Sequence, residues 1–307
     1  MAHTFLKPTV INRSALKLLE REIVLPRLVW NYASAEFRGA YNDVVNLRLP
    51  AILESNEYAW RNNRASEIDV DDLTETLVPV TLDHDIYSAV AVTDEELTLD
   101  IVDFNEQVLM PQVKAVARGV EDLIASTMDG GTYASTLDLA SGATAGDADS
   151  AWNVLVAARK ALNNAEVPRD SRVLLVGSDI EAELLLDERF IRVDSIGDGA
   201  TTALREATIN RLGGFTIVGS NAIDPSVGYA FHPTAFAFAN VAPMVPDGVV
   251  KGSRDSYAGL ALRWIRDYEA RKLRDRSVVS TFAGCTSVED DGSTNVRAVK
   301  IQLDAGS

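Results

Sequence analysis

Hydrophobic periodicity organises the chain around residues 99–128. There Phe104, Val108, Val113, Val116, Val120, Leu123 and Thr127 recur at three- to five-residue steps and predict one face of a long helix, or of two collinear helices with a bend between them. Asp103, Glu106, Lys114, Arg118 and Glu121 fill the remaining positions and are read as its solvent face. A helix of this length spans roughly 40 Å at about 1.5 Å per residue, the width of a domain, so other elements must be laid across it. Pro111 removes a backbone donor and predicts a bend or a helix start just before it, and Gly130-Gly131 predicts the end.

Upstream, Ala15, Leu18, Leu19, Ile23 and Leu25 follow Ser14 at helical spacing and predict a short helix within 14–30 that Pro26 ends or bends. Val45, Leu47 and Leu49 alternate as in a half-buried strand closed by Pro50. Thr76, Val78, Val80 and Leu82 alternate likewise, and the pattern continues over 86–92. These two runs are expected to pair as a projecting hairpin around a polar tip, 51–75. An isolated ribbon buries too little to offset its ordering entropy, so it must rest on a neighbour.

Downstream, the Gly-, Ala-, Ser- and Thr-rich stretch 132–149 is read as a linker and domain boundary. A helix follows over 150–163 with Trp152, Leu155, Ala158 and Leu162 inward, then a strand over 172–176 apolar enough to be covered on both faces. Ser178 and Glu181 have capping-box spacing and predict a helix through Leu186. A helix over 202–212 is expected to end at Gly213-Gly214, with a strand over 215–218. Strands are further expected over 229–239, interrupted near His232-Pro233, and over 257–266, with Leu260, Leu262 and Trp264 on one face. A charged crossing, 267–276, leads to strands at 278–285 and 296–303, joined by the acidic turn 289–292. Three late strands across the long helix make one domain, with the α/β region inserted into it.

Composition narrows the function. The chain has 307 residues with the apolar and charged fractions of a soluble globular protein, no basic-then-apolar leader and no apolar run near the ~18 residues that span a bilayer, so a cytosolic protein is expected. The net charge of −16 argues against a nucleic-acid-binding surface. Segment charges over 1–64, 65–150, 151–250 and 251–307 are +3, −17, −4 and +2. Either the acidic middle is simply a solvated face, or basic ends of one copy meet the acidic middle of another. The one cysteine, Cys285, excludes an internal disulfide framework and is read as a buried thiol. His3, His84 and His232 lack metal-ligand spacing, and His84, between Asp83 and Asp85 on a predicted strand, is read as a surface residue. Gly197-Asp198-Gly199 lacks the third glycine and the later acid of a dinucleotide fingerprint, and 289–292 lacks the spacing of a calcium loop. No catalytic residue, metal ligand or cofactor site is identified.

In the order of its parts the chain resembles the major capsid proteins of tailed bacteriophages, whose fold is shared with herpesvirus capsid floors and encapsulin shells. The resemblance implies an α+β capsid fold: an N-terminal arm (1–40), an E-loop hairpin (41–92), a P-domain with the spine helix (93–150), an inserted α/β A-domain (151–242), and P-domain return strands with the C-terminus (243–307). The run Gly213-Gly214-Phe215-Thr216-Ile217-Val218-Gly219-Ser220-Asn221 is similar to the family's turn from the A-domain helix into a strand. Implied function is self-assembly, through pentamers and hexamers, into an icosahedral head shell that encloses double-stranded DNA without sequence-specific binding. Implied partners are a separate scaffolding protein, since the arm begins almost at once, a portal protein and a decoration protein; the protein is made in the bacterial cytoplasm and resides in the virion. Assembly contacts are expected from Leu16, Leu19 and Ile23 in the arm and from Arg48, Arg61, Arg64, Glu67, Asp69, Asp71 and Asp72 in the hairpin. Some relatives weld subunits through an E-loop lysine, but here no lysine lies between Lys17 and Lys114. The alternatives are an encapsulin-type compartment and a cytosolic α/β enzyme, the latter requiring a pocket with convergent polar groups in the inserted region.

Overall fold

Helix α3 (Met110–Gly130) is the element that both large sheets of the structure share. The computed structural model describes residues 23–31, 44–49, 53, 55–58, 67–68, 70–73, 75–101, 103–143, 147, 149–186, 211–249, 251–257, 260–290 and 292–304. Pro111 sits in the first turn of α3, where the absent N–H costs no intrahelical bond. A π-helical turn (Asn105–Leu109) leads into it, with Met110 N–H donating to the Asn105 carbonyl five residues back. Of the two expectations for 99–128, the start just before Pro111 holds, since α3 begins at Met110, whereas a single helix from Leu99 does not: Leu99 ends a separate helix, α2 (Asp94–Leu99). A capping box opens α2, with Thr93 Oγ1 accepting from Glu96 N–H (3.3 Å) and Glu96 Oε2 from Thr93 N–H (3.0 Å). The buried stripe of α3 runs through Gln112, Val116, Ala117, Val120, Glu121, Ile124, Ala125 and Met128. It is displaced from the expected one: Val113 and Leu123 are half-buried, and Glu121, read as solvent-facing, is fully buried.

One sheet is antiparallel, in the order β10 (Lys251–Tyr257), β11 (Leu260–Glu269), β12 (Arg274–Ser287), β3 (His84–Thr93), with β9 (Phe236–Val241) paired to the far end of β12. The predicted hairpin is thereby divided. Its ribbon is β1 (Val44–Leu49) against β2 (Thr76–Thr81), in the register Leu47↔Val78, whereas the continuation over 86–92 belongs to β3 and pairs with β12. The expected charged crossing, 267–276, is the β11–β12 hairpin itself, with Glu269 opposite Arg274. Residues of β10 were not anticipated as a strand, because Lys-Gly-Ser-Arg-Asp-Ser-Tyr offers no apolar alternation.

The second sheet is mixed, in the order β4 (Thr136–Ala140), β13 (Ala298–Asp304), β8 (Val227–Phe231), β5 (Val173–Val176), β7 (Phe215–Gly219), β6 (Arg211–Leu212). Helices α4 (Ala151–Asn164) and α5 (Ser178–Leu186) cover one face through Leu155, Ala158, Leu162, Ile180 and Leu184. Val173, Leu175, Tyr229 and Phe231 point from the other face into the core around α3, which explains why β5 is apolar at every position. Four expectations change here. The supposed linker contains β4, held by parallel pairing to β13. The C-terminal strand β13 therefore joins the α/β sheet, and β9 takes its expected place beside β12. Ser178 and Glu181 form no capping box; Asp179 N–H donates to the Pro225 carbonyl instead (3.1 Å). Gly213-Gly214 does not cap a helix but turns β6 into β7, with φ of +57° and +96°, the signs a two-residue hairpin turn requires. The remainder of the predicted 202–212 helix and Gly197-Asp198-Gly199 lie outside the described residues.

The interruption at His232-Pro233 is the point where the chain leaves one sheet for the other. A 3-10 turn (Pro233–Ala235) connects β8 to β9, and Phe231 and Phe236 meet edge to face across it at 5.5 Å. A buried polar cluster fixes α3 on the antiparallel sheet. Gln112 Nε2 donates to the carbonyls of Ser88 (3.1 Å) and Ser277 (3.0 Å), Gln112 Oε1 accepts from Ser277 Oγ (2.7 Å), and Ser277 Oγ accepts from Trp264 Nε1 (3.0 Å).

Candidate assembly surfaces

Among the described residues, the ribbon β1–β2 is anchored at its base. Leu47, Val78 and Val80 pack on Ala237 and Ala239 of β9 and on Val288, with Trp30 and Leu82 at the margin. Gly284 of β12 lets the ribbon approach this closely, since a Cβ there would lie 1.9 Å from the Thr81 carbonyl oxygen. Away from the base, Leu53, Ile68, Val70, Leu73 and Leu77 are exposed, Val70 by 81% and Ile68 by 67%. Asn56 Nδ2 donates to Asp71 Oδ2 (3.0 Å), so the two sides stay adjacent beyond the paired strands. The hairpin is thus acidic, with apolar side chains standing in water, a combination that marks an interaction surface.

Of the expected contact residues, Arg48 is exposed and 4.0 Å from Glu75, and Glu67, Asp71 and Asp72 are exposed. Ile23 is half-buried against the main core of its own chain. Leu16, Leu19, Arg61, Arg64 and Asp69 lie outside the described residues. The sequence reading chose the charges of this hairpin and passed over Ile68 and Val70, although their i, i+2 spacing among acids was a visible signal.

The N-terminal segment is held at two points. Helix α1 (Leu25–Leu28) starts beside α3, where Glu121 Oε1 accepts from the N–H groups of Val24 (2.9 Å) and Leu25 (3.4 Å). Pro26 lies in its first turn and opens rather than ends it. Trp30 then bridges to β9, donating from its N–H to the Phe236 carbonyl (3.1 Å) and accepting from Phe238 N–H (2.9 Å).

The tip of β11–β12 carries cross-strand ion pairs: Arg274 Nε with Glu269 Oε2 (2.7 Å), Arg276 with Asp267 (3.0 Å) and Arg266 Nε with Asp275 (2.9 Å). Arg274 and Lys272 hold the Glu269 carboxyl below the usual carboxylate range, and Arg266 also lies 4.3 Å over the Phe104 ring. Two clefts flank α3. One, of about 230 Å³, is lined by Asp122, Ser126, Asp129, Asp224 and Tyr229, with Lys300 paired to Asp129 at 2.9 Å. The other, of about 190 Å³, is apolar, between Leu109, Met110 and Val113 of the spine and Leu262, Trp264 and Val279 of the sheet. In the first, the Tyr229 phenol is hydrogen-bonded to the Asp129 carboxylate. Burial pushes the Cys285 thiol up to about 12 and the Tyr133 and Tyr229 phenols above the ordinary tyrosine range, which keeps all three protonated and unreactive near neutrality. His84 is exposed, 3.5 Å from Asp83. Asp290 of the acidic turn pairs bidentately with Arg297, and no cluster of three or more metal-ligating side chains occurs among the described residues.

A sequence profile described as phage capsid protein matches residues 85–286. Among solved structures, the chain is similar to one from Mycobacterium phage Che8, at 19% identity with 98% of each chain covered and a TM-score of 0.66. It is similar also to the capsid structure of the cyanophage P-SCSP1u, at 13% identity over 96% of this chain and 92% of that one, with a TM-score of 0.65. A capsid of an empty GTA particle matches at 14% identity over 92% and 90% of the two chains, with a TM-score of 0.56. No protein of curated function matches.

Proposed function

The chain belongs to a family of phage capsid proteins, and from that membership we propose that its copies join as pentamers and hexamers into the icosahedral head shell of a tailed bacteriophage, around double-stranded DNA held without sequence-specific binding. It is a structural protein of the shell. In this reading the hairpin from β1 to β2 serves as the E-loop, α3 with the antiparallel sheet as the peripheral layer, and the six-stranded sheet with α4 and α5 as the axial domain. Residues before Trp30 serve as the arm. A separate scaffolding protein and a portal protein complete the particle, which is made in the host cytoplasm.

The observation that carries this reading is the exposed row of Leu53, Ile68, Val70 and Leu73 on a hairpin anchored at its base. Burying such side chains is worth roughly 25 cal/mol per Å² of apolar surface, repeated at every copy of the contact. A net charge of −16 suits a container that must not grip its DNA. The test is expression of the full chain with and without the phage's scaffolding protein, followed by sedimentation and electron microscopy. Wild type is expected to form closed shells, and Ile68→Asp/Val70→Asp to remain a soluble subunit with the wild-type melting temperature. A wild-type chain that stays a subunit under both conditions overturns the shell, and a double variant that assembles normally overturns the hairpin's role.

A further inference from the structure

We propose that Glu121 is the positioning residue of the arm: its carboxyl oxygen clasps the start of α1 to the spine and thereby sets where the arm leaves the subunit, while Trp30 ties the same segment to the base of the ribbon. This rests on the reading of the N-terminal residues as an arm that reaches other subunits.

The first N–H groups of a helix have no intrahelical acceptor, and burial without one is costly. Val24 and Leu25 meet this problem beside the middle of α3, where Leu25 is fully buried and Val29 nearly so. Glu121, 97 positions from Val24 in sequence and fully buried, brings one oxygen within 2.9 Å of Val24 N and 3.4 Å of Leu25 N. A glutamate at this point of the buried stripe, between Val120 and Ile124, adds nothing to helix packing that an aliphatic residue could not supply. Its use is as an acceptor. Six residues on from Val24, Trp30 pairs with β9 through two backbone hydrogen bonds and packs beside Leu47, Val78 and Val80. Residues 24–30 therefore form a strap with one end on the spine and the other at the root of the ribbon.

Amide hydrogen exchange on the unassembled full-length subunit tests the clasp without reference to any shell. In wild type, the Val24 and Leu25 amides should exchange about tenfold or more slowly than free amides, although no helical bond protects them. Glu121→Leu, which keeps the bulk and removes the acceptor, should return both to the free rate and leave the amides of β9 and the C-terminal half of α3 protected. Glu121→Gln, which keeps a carbonyl acceptor, should stay within a few-fold of wild type. Assembled in parallel, Glu121→Leu should give irregular or few shells and Glu121→Gln normal ones. Unprotected Val24 and Leu25 in the wild type overturn the proposal, whether or not the leucine variant folds. So does equal loss of protection throughout the subunit of a folded variant, and so do normal shells from a variant with an open clasp. If wild type forms no shells, the function proposed above fails, and exchange decides the clasp alone.

Discussion

Gly284→Ala places one methyl group where the ribbon crosses the sheet. The new Cβ would lie 1.9 Å from the Thr81 oxygen, 2.8 Å from its carbonyl carbon and 3.3 Å from Leu82 Cα, so backbone rather than a flexible side chain must yield. Reaching even 3.0 Å from the oxygen requires a retreat of 1.1 Å, the difference between 3.0 and 1.9 Å. Lifting the ribbon off altogether would expose Leu47, Val78 and Val80, at about 1.5–3 kcal/mol each, whereas overpacking by one methyl costs about 1–3 kcal/mol in total. The ribbon should therefore tilt rather than detach. With Val78 as fulcrum about 10 Å away, the tilt is about 6°, which displaces the hairpin by about 1 Å for every 10 Å beyond the fulcrum. The expected outcome is a subunit that still unfolds cooperatively, a few degrees below wild type by circular dichroism, and a several-fold loss of shells in sedimentation. Gly248→Ala, whose added methyl meets nothing within 4 Å, is the control. Wild-type melting and wild-type shell yield for Gly284→Ala would refute the reasoning.

Ser277→Ala removes the hydroxyl that donates to Gln112 and accepts from Trp264 Nε1, and should cost about 1–3 kcal/mol, read as a lower urea midpoint at constant slope; an unchanged midpoint contradicts the cluster's role. Cys285, pushed up to about 12, should present only about 10⁻⁴ of its thiol as thiolate at about pH 8 and resist alkylation until the subunit unfolds; rapid stoichiometric labelling of native protein would count against the burial. The same shift fixes a sign: the folded state keeps a proton that the unfolded chain releases near 9.0, so this contribution is fully present below that value and lost as pH rises towards about 12, which alkaline melting curves should show. Particles boiled in denaturing detergent should run as one band near 33.2 kDa, because the hairpin offers no lysine and the half-buried Cys285 keeps its thiol protonated; a ladder of multimers would contradict it.

What the sequence made legible is what local patterning controls. The apolar run at β5, the inward residues of α4, the alternation at β1 and the chain break at His232-Pro233 all follow from short-range periodicity, and so did the order of parts that pointed to a capsid fold. The misses were decided by partners distant in sequence. β10 and β4 are strands because β11 and β13 supply their hydrogen bonds, not because their side chains alternate. Two glycines signal a helix stop and a hairpin turn alike, and at 213–214 only the pairing of Leu212 with Phe215 separates them. Of the assembly surface, the hairpin was visible but its apolar members were overlooked. Glu121 resembled any solvent-facing glutamate, because its partners, the amides of Val24 and Leu25, are contributed by tertiary structure.

The most direct measurement is a cryo-electron-microscopy reconstruction of particles assembled from the full chain. The account predicts an icosahedral shell in which Ile68, Val70 and Leu73 are covered by a neighbouring subunit while the ribbon's base remains on β9 of its own chain. A closed shell in which these side chains still face solvent, with contacts made elsewhere, would contradict it.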